Sequence, residues 1–223
     1  TRSPMLAATQ DFALSEFGLF TRQGRITVDR ADLVQSFIEL QSDLTKLVCA
    51  AHLSEVFLDC LRDDTDQPSL YTLWAYAMGA LIDPDKDALL MTHTCAMNLM
   101  QRAGYEPRLD HCTLCQLDQP PYRLSFDDCG LICSRHLSAD HTRNAVPLTD
   151  GLLSLLRHCM QAPVERLFAF SAAEPVVSRF IQIADRYVCE RMDKRYHRLD
   201  LLQTPDNPLE SRVRTPESRA DAP

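Results

Sequence analysis

The sequence has no run of eighteen or more uncharged apolar residues, so no segment reads as a membrane-spanning helix. It begins TRSPMLAATQ, without an initiator Met, a basic stretch or an apolar stretch of the kind that opens a secretory signal. A start of that kind predicts a missing N-terminus. There is no Walker loop, no G-x-G-x-x-G, no G-x-S-x-G, no H-E-x-x-H and no His-x-Glu of the deaminase kind, which removes the motif-bearing nucleotide-binding and hydrolytic classes. What remains points to a binding protein.

The 223 residues are enough for one good core, or for a domain with a small appendage. Hydrophobic residues make up 45% and charged residues 24%, the balance of a globular chain. Nine cysteines at irregular spacings, with no signal, predict a reducing compartment, and we expect the cytoplasm. The net charge of −8 is uneven: residues 31–110 carry thirteen Asp/Glu against five Lys/Arg. An acidic middle repels phosphate, so any nucleic-acid contact is expected at the two ends.

Residues 12–29, FALSEFGLFTRQGRITVD, are two extended apolar runs around RQG and predict a β-hairpin turning at Gly24. A lone hairpin is marginal in water, so it is expected to belong to a larger sheet. From Ala31 the apolar residues Leu33, Val34, Phe37, Leu40, Leu44, Leu47, Val48, Ala51, Val56, Phe57 and Leu61 recur at helical steps. DDTDQPS closes that region. Further helices are expected over 70–81, stopped by Asp83-Pro84, and over 86–103, capped by Gly104. Thr149 can cap a helix carrying Leu152, Leu155, Leu156 and Cys159. Ser171 and Glu174 form a capping-box pattern before a stripe of Val177, Phe180, Ile181, Ala184, Tyr187, Val188, Met192, Tyr196 and Leu199. The final 203–223 are polar and proline-punctuated, and are expected to be a disordered tail.

Between these helices lies HCTLCQLDQPPYRLSFDDCGLICSRH, residues 111–136. Cys112 and Cys115 are separated by two residues, as are Cys133 and His136, with seventeen residues between the pairs. Two short knuckles at this distance form a zinc-ribbon pattern, because each lets two ligands close one edge of a tetrahedron. His136 makes the second knuckle mirror the first, while Cys129, His111 and His141 are near enough in sequence to take its place. Four N/S ligands close the shell, so the expected Zn2+ is structural. Cys49, Cys60, Cys95, Cys159 and Cys189 sit among apolar neighbours and are expected to be inert thiols. His52 and Glu55 share a helix face, a pairing better read as a solvated contact than as a ligand pair.

The order of the pieces resembles the bacterial recombination mediator family RecO: ITVDRADLVQSFIELQSDLTKL after the hairpin, LMQRAGYEPRLDHCTLC, CGLICSRH, and RYVCERMDKRYHRLDLL. GYEPRLDHCTLC carries the resemblance most specifically. The likeness spans about residues 4–202, and His136 stands where many relatives have a cysteine. The resemblance implies a mostly α fold: a helical C-terminal domain over 31–202 with an inserted zinc knuckle, preceded over 1–30 by the last strands of an incomplete OB-type β-barrel. It implies binding to single- and double-stranded DNA, strand annealing, and recombinase loading together with RecR and the single-strand-binding protein, without covalent catalysis. The cations expected to meet DNA are Arg2, Arg22 and Arg25 near the hairpin, and Arg186, Arg191, Lys194, Arg195 and Arg198 on the last helix; that helix also carries Asp185, Glu190 and Asp193, so an ordinary salt-bridged solvent face is the competing reading of its cations. Tyr196 lies among them and belongs either to the core or to a base-stacking platform. Two competing readings are a zinc-dependent hydrolase or deaminase with Cys129 at an unusual site, and a zinc-stabilised scaffold that binds only protein.

Overall fold

The computed structural model describes residues 5–61, 67–136 and 138–202. Arg2, Asp63, Asp64, Asp66 and the expected tail at 203–223 lie outside the described residues. Strands β1 (Ala13–Arg22) and β2 (Arg25–Ser36) pair antiparallel around Gln23 and Gly24, both with positive φ (49° and 77°). Two consecutive positive-φ residues give the tight turn whose twist matches that of the strands it joins. Register shifts after Leu14 and Gly18 bend the ribbon.

The helical period expected from Ala31 is overturned, because β2 continues to Ser36. Leu33 and Val34 are neighbours in sequence, and a strand sends them to opposite faces; both are exposed, at 43% and 64%. Their match to a helical step reflects composition, and pairing with β1 outweighs it. The helical body begins after Phe37, which is buried edge-on against Trp74 at 6.1 Å. A single 3-10 turn, Ile38–Ser42, then leads into α1 (Leu44–Cys60). Asp43 caps α1 by accepting from the N–H groups of Thr45 and Lys46 at 2.8 and 3.2 Å.

Helices α2 (Gln67–Ile82) and α3 (Ala88–Arg102) follow. Every residue of α3 from Leu90 to Met100 is buried, as expected of a helix surrounded on all sides. Its polar groups are met mostly from within. Thr92 and the His93 Nδ1–H donate to the carbonyls four residues back, and the Asn98 amide donates to Cys159 O at 2.7 Å. Gly104 (φ 80°) turns the chain out of α3, with Tyr105 N–H closing on Met100 O at 2.8 Å.

A four-stranded sheet comes next: β3 (Arg108–Cys112), β4 (Tyr122–Ser125), β5 (Gly130–Cys133) and β6 (Ala145–Pro147), in the order β3-β5-β4-β6. Only the β3–β5 pair is parallel. The short α4 (Ala139–Thr142) precedes β6. Then come α5 (Asp150–Gln161), capped by Thr149 as expected, α6 (Val164–Leu167) and α7 (Glu174–Met192).

Two further expectations about α7 are corrected. Ala173, not Ser171, is the N-cap residue, with Pro in the first turn, and the Glu174 carboxylate accepts from Ser178 Oγ instead of reaching back. The helix also stops at Met192, where Asp193 adopts φ 47°. Tyr196 and Leu199 therefore lie beyond it, on a strap ending in a 3-10 turn, Arg198–Leu202. No helix among the described residues is long and apolar enough to cross a membrane.

Candidate metal centre and nucleic-acid interface

The sheet exists to bring two turns together. After β3, Thr113 N–H donates to Leu131 O at 2.7 Å, and Gln116 N–H to Cys112 O at 2.8 Å, with Gln116 in the left-handed region at φ 59°. That tight loop sets Cys112 and Cys115 on one side. β5 delivers Cys133, and the 3-10 turn Ser134–His136 carries His136 round to face it. The approach of β5 to β3 depends on Gly130: a Cβ there would lie 2.6 Å from Thr113 Cγ2 and 2.7 Å from Arg108 O. No larger residue fits without parting the strands.

The four donor atoms of Cys112, Cys115, Cys133 and His136 lie within 4.8 Å of one another. Cys115 Sγ is 3.8 Å from Cys133 Sγ, and His136 Nδ1 is 3.6 Å from Cys112 Sγ and 3.4 Å from Cys133 Sγ. The Cys133 N–H donates to Cys112 Sγ at 3.4 Å. The Leu117 N–H and then the Arg135 side chain pull the Cys115 thiol down to about 7, while burial pushes Cys133 up. Backbone N–H groups aimed at sulfur favour thiolate, the form that ligates metal.

The three alternative fourth donors sit elsewhere. Cys129 (φ 51°) points its Sγ at the Arg191 guanidinium, His141 Nδ1 is 3.7 Å from Asp128, and His111 is exposed on β3. His52 and Glu55 do not form a ligand pair. His52 is buried edge-on against Tyr196 at 5.6 Å, its pKa lowered to about 4 by burial, and Glu55 faces outward to two cations. Cys49, Cys60, Cys95 and Cys159 are buried free thiols, and Cys189 is half-buried.

The expected DNA-facing cations occupy three different settings. Arg22 and Arg25 stand directly opposite each other at the exposed end of the hairpin. Like charges opposed in this way are unfavourable unless an anion meets them. The exposed Arg186 and the half-buried Arg191 join α7 to the loop after β4. Arg186 lies over the Phe126 ring at 4.2 Å and bonds Glu190 and Asn144, while Arg191 donates to Phe126 O at 2.9 Å and contacts Cys129.

Beyond α7, Lys194 bridges Asp59 at 2.7 Å and Glu55 at 3.0 Å, and Arg198 reaches Glu55 at 2.7 Å. Arg195 is exposed. Tyr196 belongs to the core: it is 4% exposed, and its hydroxyl donates to Asp59 at 2.9 Å. Sequence reasoning missed Glu55 and Asp59 as the holders of this strap. The signal was present, since two acids four apart on one helix face repel each other unless cations arrive. The Lys194 ammonium, hydrogen-bonded to each carboxyl, holds both below the usual carboxylate range.

Residues 41–200, which hold the cluster and most of the helices, match the family model described as recombination protein O C terminal. The chain is 28% identical over 207 residues to the DNA repair protein RecO of Acetivibrio thermocellus, covering 92% of this chain and 81% of that protein. It is 27% identical over 153 residues to the DNA repair protein RecO of Exiguobacterium sibiricum, covering 67% of this chain and 59% of the relative. To the protein of the same name from a Thermoanaerobacter species it is 19% identical over 207 residues, covering 93% and 83%.

Proposed function

The chain belongs to the recombination protein O family, and from that premise we propose that it is a DNA repair and recombination mediator, a binding protein that brings DNA strands and partner proteins together. The observation that carries the reading is the family match across 41–200, which contains every α-helix among the described residues and the four-donor cluster. On this reading the chain binds single- and double-stranded DNA, promotes annealing, and loads recombinase with RecR and the single-strand-binding protein. Arg22 and Arg25 are its most available phosphate contacts, since no described acid pairs with them. The exposed apolar residues Leu19, Phe20, Ile26 and Val28 support reading β1 and β2 as strands of a larger OB-type sheet, because a ribbon with apolar residues on both faces needs cover.

The four donors fit Zn2+. Zinc–sulfur bonds of about 2.3 Å and zinc–nitrogen bonds of about 2.0 Å at tetrahedral angles separate two sulfurs by about 3.8 Å, and sulfur from nitrogen by about 3.5 Å. Three edges of the cluster, at 3.8, 3.6 and 3.4 Å, lie close to those lengths, and all four donor atoms are within 4.8 Å of one another. Cys112, Cys115, Cys133 and His136 would fill all four positions, leaving none for substrate, so the ion would pin β3 to β5 and perform no chemistry. The hydrolase and deaminase reading needs an open position and a nearby general base, and Cys129 turns away toward Arg191.

The test is fluorescence anisotropy with a labelled single-stranded oligonucleotide across a salt series, beside an annealing assay with complementary strands. Binding that weakens linearly in log–log form with salt, together with accelerated annealing, is the expected result. Absence of binding at low salt would overturn the reading.

A further inference from the structure

The strap that follows α7 presents cations in a peculiar way. Asp193 turns the chain off the helix, and residues 194–202 cross α1. Lys194, Arg195 and Arg198 make this the most cationic stretch of the C-terminal part, yet Glu55 and Asp59 meet it one helical turn apart on α1. Lys194 spans both carboxylates, Arg198 shares Glu55, and the Tyr196 hydroxyl shares Asp59. The strap itself adds Asp193 and Asp200, the latter 2.9 Å from His197 Nδ1. A surface that reads as basic in sequence is electrostatically closed in the fold.

The fastening is also reversible in kind. Lys194 and Arg198 are 40% and 51% exposed, so water and salt screen their ion pairs. Apart from these pairs, the strap is anchored by the Tyr196 ring on His52 and by partly buried Leu199 and Leu202. A phosphate chain concentrates more negative charge than two carboxylates and gains counterion release when it takes up the same cations.

We propose that residues 193–202 form an electrostatic latch, closed on Glu55 and Asp59 in the free protein and opened by single-stranded nucleic acid, which takes Lys194, Arg195 and Arg198 as phosphate contacts. The proposal rests on the DNA-binding reading and adds its regulation. The acids of α1 withhold part of the phosphate-binding surface until a polyanion competes for it. Weak anions of low charge density do not open it, so the latch selects for polymers.

Glu55→Gln/Asp59→Asn removes the latch's hold. Glu39→Gln/Asp85→Asn removes the same charge from two exposed acids that make no ion pair with the strap. Each is compared with the unaltered protein by oligonucleotide titration over a salt series, and by backbone hydrogen exchange across 194–202. The latch predicts faster exchange in the strap only in Glu55→Gln/Asp59→Asn. It also predicts an affinity at least about fivefold above that of the matched control, and a salt slope steeper by roughly 1.4, the worth of two added single-strand phosphate contacts from Lys194 and Arg198. Equal tightening in both variants, or tighter binding with an unchanged strap, overturns the latch and leaves the DNA-binding reading standing. No binding by any of the three proteins overturns both.

Discussion

A few side chains carry much of the molecule's specificity, and each makes a definite expectation. Cys112 is fully buried, receives the Cys133 N–H and belongs to the four-donor group, whereas Cys129 lies outside it. Cys112→Ser is therefore expected to lower zinc content to near zero by elemental analysis and to loosen residues 105–136 in hydrogen exchange, while helical circular dichroism persists. Cys129→Ser keeps a full complement of metal. Loss of metal in both would mean that Cys129 is a ligand. Asn98, almost fully buried on α3, ties that helix to Cys159 of α5 and accepts from Arg102 Nε at 2.7 Å. Asn98→Ala strands a buried carbonyl and is expected to cost about 2 to 3 kcal/mol in denaturant unfolding.

Elements meet through polar joints as much as through apolar faces. α7 is joined to the loop after β4 by Arg186 over Phe126 and by Arg191 on Phe126 O, and to the cap of α3 by the Tyr187 hydroxyl on Tyr105 O at 2.8 Å. Arg191→Met keeps the stem and removes the charged donor. It is expected to destabilise by about 1.5 to 3 kcal/mol, with zinc content unchanged, and to leave DNA affinity within about twofold, since the guanidinium already serves the fold. A large fall in affinity with intact stability would show that Arg191 meets DNA after all. The hairpin end behaves oppositely, because Arg22 and Arg25 are exposed and opposed. Arg22→Ala/Arg25→Ala is expected to lower the salt slope of single-strand binding by about 1.4, the worth of two phosphates, without lowering the melting temperature.

At the scale of the whole molecule, acid should weaken the fold before the exposed carboxylates begin to protonate. His52 is held neutral, its pKa lowered to about 4 by burial and by nearby His93, with Glu55 acting in the opposite sense. Burial lowers His93 as well. A histidine that is neutral when folded and ordinary when unfolded contributes its stability above the unfolded value of about 6.5 and loses it as pH falls toward 4. The loss attributable to His52 approaches about 3 kcal/mol at the bottom of that window. His52→Leu is expected to flatten part of the stability profile between about pH 6.5 and 4, as followed by urea unfolding at several pH values. An unaltered slope would mean that His52 stays solvated.

The sequence alone determined what depends on short spacing. The two knuckles were legible because donors two residues apart share one short turn and can converge, and the hairpin turn because Gly24 supplies positive φ. The caps at Thr149 and Gly104 were legible because a helix end needs a local partner. What the tertiary structure decided is where long side chains spend their charge. In the chain Lys194 and Arg198 have only the acids of their own segment for company, and only the crossing of the strap over α1 brings Glu55 and Asp59, more than 130 residues earlier, to within 3.0 Å. Ala31–Ser36 likewise carried a helical step that pairing with β1 overrode. In both cases the deciding partner is distant in sequence, and a local pattern cannot weigh a partner it does not contain.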